Sequence, residues 1–177
     1  MLATRTLILT ILAAAALTLG GCSARSREGE DCPNARATPS GFCVPRWLSL
    51  RSNEVLARRG PGFDYPALWT YRAKGLPVQV VAETADWRRI CDPEGGLVWV
   101  HRTMVGGRRG VMAPAGSPLP LFDNPRTDGK TVALLGARSL ADLDHCEGGW
   151  CRVNADGASG WAPQSRLWGV AEAKQCR

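Results

Sequence analysis

The sequence predicts an all-β protein: two small β-barrels in tandem, packed on each other, behind an export segment and a flexible polar tether. Three observations carry that prediction. Twenty glycines and twelve prolines in 177 residues are many for a helical chain and suit short strands joined by frequent turns. Apolar residues recur with period two in short runs, and no long helical period follows Trp47. The chain also repeats itself, since Ala85-Asp86-Trp87-Arg88-Arg89-Ile90 is answered by Gly148-Gly149-Trp150-Cys151-Arg152-Val153, and Gly96-Leu97-Val98-Trp99-Val100 by Ala158-Ser159-Gly160-Trp161-Ala162. At 45% hydrophobic the chain is globular and long enough for two very small domains.

At the N-terminus, Arg5 gives a positive start, Leu7 to Leu19 is almost wholly apolar, and Leu19-Gly20-Gly21-Cys22 closes the segment with small residues. Residues 1–21 therefore read as a secretion signal, too short for the roughly 20 apolar residues of a spanning helix. The Leu-Gly-Gly-Cys ending resembles a bacterial lipoprotein box, in which cleavage before Cys22 leaves a diacylated N-terminal cysteine. That implies a periplasmic protein attached to a membrane through Cys22; the alternative is ordinary cleavage nearby, with Cys22 removed or left as a thiol. The formal charge of +6 invites a polyanion, but an exported chain does not meet genomic DNA, so nucleic acid is excluded in favour of the envelope. Seven cysteines less Cys22 leave an even six, as an oxidising compartment favours.

Residues 22–45, with the anchor cysteine, are polar and charge-rich and form the tether, with Cys32 and Cys43 spaced to close a small loop against the first strand. Residues 46–107 form the first barrel. Trp47-Leu48-Ser49-Leu50 opens it, and Val55 to Ala57 is a short strand leading into Gly60-Pro61-Gly62, a turn whose glycines are expected to supply φ > 0. Phe63 and Tyr65 carry apolar surface back toward the strands. Val78-Gln79-Val80 and Trp87 to Ile90 pair as hairpin strands, with turns at Ala85-Asp86 and Asp92 to Gly96, and Leu97 to Val100 reads as a buried strand.

Arg58-Arg59-Gly60-Pro61-Gly62 followed by Asp64-Tyr65-Pro66, then Trp87-Arg88-Arg89-Ile90 and Gly96 to His101, resembles the bacterial SH3-like domain. The resemblance spans Trp47 to Gly107, and Leu56 stands where that family commonly has Asn. It implies an SH3-like barrel for each copy. Its implied function is noncovalent binding or scaffolding at the cell envelope, with peptidoglycan or its peptide stems as the ligand class. A second reading is an adaptor that recognises an extended or proline-rich segment of another envelope protein.

Gly106 to Gly110 is too short for a free linker, so residues 108–170 form a second barrel packed on the first, and residues 171–177 form a tail. The second copy is divergent: Leu119 to Pro125 takes the place of the Arg-Gly-Pro-Gly stretch without its glycines, so a site built on that turn need not be duplicated. Cys146 and Cys151 flank a glycine hairpin and are expected to bridge it, and Cys91 with Cys176 would tie the tail to the first barrel.

Trp87, Trp99, Trp150 and Trp161 recur at matching places and are expected to fill the two cores. Tyr65, Trp69 and Tyr71 fall outside that set; with Arg58, Arg59 and Arg72 nearby they form the candidate ligand site, rings for a sugar or peptide and cations for an acidic group. No catalytic residue is assigned: Cys91 and His101 lack an orienting group and a catalytic domain, and no Gly-x-Ser-x-Gly or His-Glu-x-x-His occurs. The expectation is a non-enzyme with no cofactor and no metal, since only His145 and the distant His101 accompany the cysteines.

Overall fold

The computed structural model describes Cys32 and residues 38–176, so the signal segment, Cys22 and most of the tether lie outside the described residues. The first sheet contains β1 (Arg46–Leu50), β2 (Val55–Arg58), β3 (Ala67–Tyr71), β4 (Pro77–Glu83), β5 (Trp87–Cys91), β6 (Leu97–His101) and β7 (Val105–Gly106) in the order β3-β2-β6-β5-β4-β1-β7. The second contains β8 (Gly110–Met112), β9 (Leu119–Phe122), β10 (Thr131–Leu135), β11 (Leu140–Glu147), β12 (Trp150–Ala155) and β13 (Ala158–Pro163) in the order β10-β9-β13-β12-β11-β8. Six strands follow one topology used twice, and the first sheet adds β7 beside β1. The bulges repeat as well, with Leu68 and Val132 the extra residues on β3 and β10, and Val81 and Asp144 on β4 and β11. An extra residue bends its strand, which lets so short a sheet curl around a core.

That core is aliphatic. In the first barrel Val55, Val78, Val80, Ile90, Val98 and Val100 are almost fully buried together, and in the second Val111, Leu119, Leu121 and Val153 do the same. Alternation decides the rest: if Val98 and Val100 point inward, Trp99 and His101 point out, and Trp87, directly across from His101, points out with them. Trp150 and Trp161 follow the same logic, because Cys151, Val153 and Ala162 hold the inward places on β12 and β13. The expectation that the four tryptophans fill the cores is therefore corrected. The interior of a barrel this small is filled mainly by aliphatic side chains, and these four indoles lie on its outer face.

Folded contacts begin before residue 46. Val44 lies in the first core, and Thr38 donates to the carboxylate of Glu83, which also pairs with Arg46 and Arg88. Burial pushes the Glu83 carboxyl up, but hydrogen bonds from Ser40, Thr38 and Arg46 outweigh it and hold the group below its ordinary value. Cys32 is bonded to Cys43, next to Val44 of the first core.

The two barrels are joined at both ends. At the short linker Gly110 donates its N–H to Ser49 Oγ at 3.1 Å, and a Cβ at Gly110 would come within 2.7 Å of the Gly75 carbonyl, so only glycine permits the approach. Met112 and Trp168 of the second half pack against the first core, and the Trp168 indole donates to Pro77 O at 2.8 Å. The tail then crosses the outer face of the first sheet. Trp47, Gln79 and Cys91 stand in one row across β1, β4 and β5. Trp47 donates to Ala171 O at 2.6 Å, Gln79 donates to Ala173 O at 2.9 Å and accepts from Gln175 N at 2.8 Å, and Cys91 is bonded to Cys176. Cys146 and Cys151 are joined across the β11–β12 hairpin.

The long-range bridge, at a sequence separation of 85 against 5 for the hairpin bridge, constrains far more of the unfolded chain. Replacing Cys91 and Cys176 by Ala should lower the unfolding free energy by about 2 to 4 kcal/mol, and replacing Cys146 and Cys151 should lower it less. Urea unfolding of the two double variants checks this, and an equal or reversed loss would overturn the argument from loop length.

Candidate functional site

The site is built on β2 and the loop that follows it. Val55 and Ala57 face the core, so Leu56 and Arg58 face outward. Arg58 then folds the loop: its Nη1 donates to the carbonyls of Phe63 at 3.1 Å and Tyr65 at 2.7 Å, while the Arg59 N–H reaches Pro66 O at 3.2 Å. The Tyr65 ring lies against Gly60, where any Cβ would intrude into it. Neither Gly60 nor Gly62 has positive φ, so the expected conformational reason for this turn is replaced by a steric one.

Held this way, Phe63 is 72% exposed and sets its ring 5.0 Å from Trp87 and 5.5 Å from His101. Trp87 meets His101 edge to face at 5.3 Å, and His101 Nδ1 shares a hydrogen bond with Thr103 Oγ1 at 2.8 Å. These rings, with Leu56 and Met104, enclose a mainly apolar pocket of about 480 Å3 whose polar groups come from Glu54, Arg58 and Thr103. Such a pocket suits a ring or an extended aliphatic segment, with the few polar groups fixing its orientation.

The residues expected to bind a ligand are not brought together. Arg58 lines the pocket, but two loop carbonyls occupy its guanidinium. Arg59 and Arg72 are exposed and take no part in the pocket, and Tyr65 packs on the turn. Trp69 lies opposite Ala57 on β3, so its half-exposed ring lies on the core-facing side of its strand, 6.0 Å from Tyr71. Tyr71 is buried in the first core, and its hydroxyl donates to Asp92 Oδ2 at 2.6 Å; a ligand cannot reach it, which corrects the assignment of Tyr71. Sequence reasoning missed Leu56, Phe63, Trp87, His101 and Met104 as pocket residues. The available signal was the outward alternation of Leu56, Trp87 and His101 on neighbouring strands.

Cys91, considered as a nucleophile, is held in a disulfide, and among the described residues no cluster of His, Cys, Asp or Glu is placed to hold a metal ion.

The bacterial SH3 domain family matches residues 51–107 and 115–169. The chain belongs to the bacterial SH3 domain family. The two matches fall on the two sheets, so this is a tandem bacterial SH3 protein. No curated protein sequence matches it. Among solved structures it is similar to NlpC2 from Trichomonas vaginalis, at 12% identity and TM-score 0.32 over 71% of this chain and 48% of that one. It is also similar to NlpC1 from the same organism, at 15% identity and TM-score 0.32 over 78% and 50%. This chain therefore spans about half the length of each.

Burial, then the hydrogen bond and negative charge of Asp92, raises the Tyr71 phenol far above its ordinary value of about 10. A raised acid means that the folded state keeps its proton when the unfolded state has lost it, so this contribution is intact below pH ~10 and is lost as pH rises beyond. Tyr71→Phe should cost about 1 to 2 kcal/mol at neutral pH, because Asp92 loses a buried donor. The gap between parent and variant in urea midpoint should narrow above pH ~10; a gap constant to pH ~11 would show that the phenol proton is not the coupled group.

Proposed function

We propose that this tandem bacterial SH3 protein is a non-catalytic binding or scaffolding protein of the cell envelope, contacting peptidoglycan or its peptide stems through the aromatic pocket of its first barrel. Family membership supports a cell-wall or envelope partner. The observation that carries the assignment to the pocket is the three-ring wall of Phe63, Trp87 and His101 around a space of about 480 Å3. The second barrel favours a single site. There Pro163 lies across from Trp150 where His101 lies across from Trp87, and the loop after β9 is organised by Asp123 on Lys130 and Arg126 on Asp128.

Export and attachment through a lipidated Cys22 complete the reading, and the basic net charge of +6 fits an acidic envelope surface. A thiol mechanism finds no support, because Cys91 is joined to Cys176. If the anchor is Cys22, Cys22→Ala releases the protein from the membrane fraction, since two acyl chains rather than the tether provide the hold. Unchanged retention by fractionation would refute the anchor.

Phe63 is exposed, so Phe63→Ala should leave the fold intact while removing a pocket wall, and should weaken binding to purified wall material by about 1 to 3 kcal/mol in a sedimentation assay. Trp69→Ala, outside the pocket, should leave that binding unchanged. Binding to a proline-rich envelope segment with none to wall material would favour the adaptor reading, and loss of binding in Trp69→Ala alone would move the site from the pocket to the surface around Trp69.

A further inference from the structure

We infer that the cleft between the two barrels is a second binding site, taking an anionic group, a carboxylate or a phosphate, on Arg51 and Lys74. The cleft encloses about 850 Å3 and is lined by the end of β1, the turn before β4, the linker and two segments of the second sheet. It is not the aromatic pocket, but the two are neighbours. Arg51 lines the cleft and Glu54 the pocket, Gly106 lines the cleft and Met104 the pocket, so the turn 51–54 and the segment 104–106 form a shared wall.

The two cations are set side by side by the backbone. Gly75 N donates to Leu50 O at 2.8 Å, which makes Arg51 and Lys74 the flanking residues of one hydrogen-bonded crossing. Each is fixed again: the Arg51 N–H bonds Met104 O at 2.9 Å, and the Lys74 N–H bonds the Asn53 side chain at 3.0 Å. The Arg51 stem lies along Gly106, where a Cβ would meet Cδ at 3.0 Å, so the side chain rests on the floor of the cleft. The backbones that carry the two charges are thus set before any ligand arrives.

Charge accounting gives the ligand class. Arg108 forms a two-pronged pair with Asp142, Nε to Oδ1 at 3.0 Å and Nη2 to Oδ2 at 2.5 Å, and these two lining charges cancel. Among the described residues the charged ends of Arg51 and Lys74 have no hydrogen-bond or ion-pair partner, and only Asp156 remains to offset them. Two uncompensated donors in a preformed concavity select an anion. Union of the barrels at the linker and through the tail keeps both walls in place.

The test is isothermal titration of the purified protein with citrate and with inorganic pyrophosphate at low ionic strength, where screening is weakest. One-to-one saturable binding of at least one probe is expected. Arg51→Gln/Lys74→Gln should weaken it at least tenfold. Asp142→Asn, which frees Arg108, should tighten it, and Arg166→Gln, an exposed cation outside the cleft, should leave it unchanged. Citrate alone would identify a carboxylate source such as a peptide, and pyrophosphate alone a phosphate source such as a lipid headgroup; either supports the site. Absence of saturable binding by both probes, an equal loss in Arg166→Gln, or weaker binding in Asp142→Asn overturns it. Phe63→Ala should not alter anion binding, so the fate of this site is read separately from that of the aromatic pocket.

Discussion

A single row of side chains, Trp47, Gln79 and Cys91, sets the form of the whole molecule. It runs across three strands of the first barrel and takes hold of the tail that follows the second. Gln79 is the decisive member. It is fully buried on the outer face of its strand, a place where an amide is costly unless both of its ends are bonded, and the tail backbone supplies one acceptor and one donor. The tail both covers the Gln79 amide and bonds its two ends, so the same contact that removes it from water also satisfies it and sets the register of the tail. The short linker alone would leave two small barrels free to pivot; linker and tail together close the connection from opposite ends.

The union frees the two copies to diverge. Their six shared strands have the same order and bulges, and the difference at the candidate site lies in what the loop after the second strand of each copy has to hold. In the first copy Arg58 and Tyr65 fold the loop around Gly60, and Phe63 is turned onto Trp87. In the second, Asp123 closes the loop on Lys130 through side chain and backbone, with no arginine staple beneath it. Phe122 still meets Trp150 at 5.9 Å, but Pro163 gives that pair no third ring. The second copy's distinctive contribution is at its end, where Trp168 and the tail leave it for the first barrel.

The sequence made the architecture legible because the signals for it are local or repeated. Period-two runs, glycine turns and a tryptophan motif occurring twice suffice for two sheets of one topology, and cysteines flanking a hairpin limit their own partner. The faces were harder to read. In a strand every residue is one step from the opposite side, and Trp87 in the hydrophobic half of a motif reads as core until Ile90, Val98 and Val100 are seen to fill the interior. The same one-step ambiguity misplaced Tyr71, whose ring goes inward to Asp92, and left Leu56, which faces the pocket, without a role. Arg58 was legible as important but not in its role, since the two carbonyls it binds become its neighbours only after the loop has turned. The tail's seat on Gln79 was not legible at all, because nothing local in a lone glutamine within a valine strand names a partner 94 residues away.

If both proposed sites bind, the position of the cleft beside the pocket would give the union of the barrels a function. Two sites on separate, freely pivoting barrels would bind a long ligand at the cost of fixing the pivot, and much of the second contact would be lost to that ordering. Here the aromatic pocket and one wall of the cleft belong to the first barrel and share the turn 51–54, so their separation is set by a few bonded residues. The second barrel contributes the opposite wall of the cleft, held in place by the linker and the tail together. An envelope polymer or peptide with an apolar unit and a nearby anionic group would then meet both sites without reorganising the protein. The second copy keeps two separate ring pairs, Phe122 with Trp150 and His145 with Trp161, and under the proposed reading it would complete the first copy's surface rather than add an equivalent one.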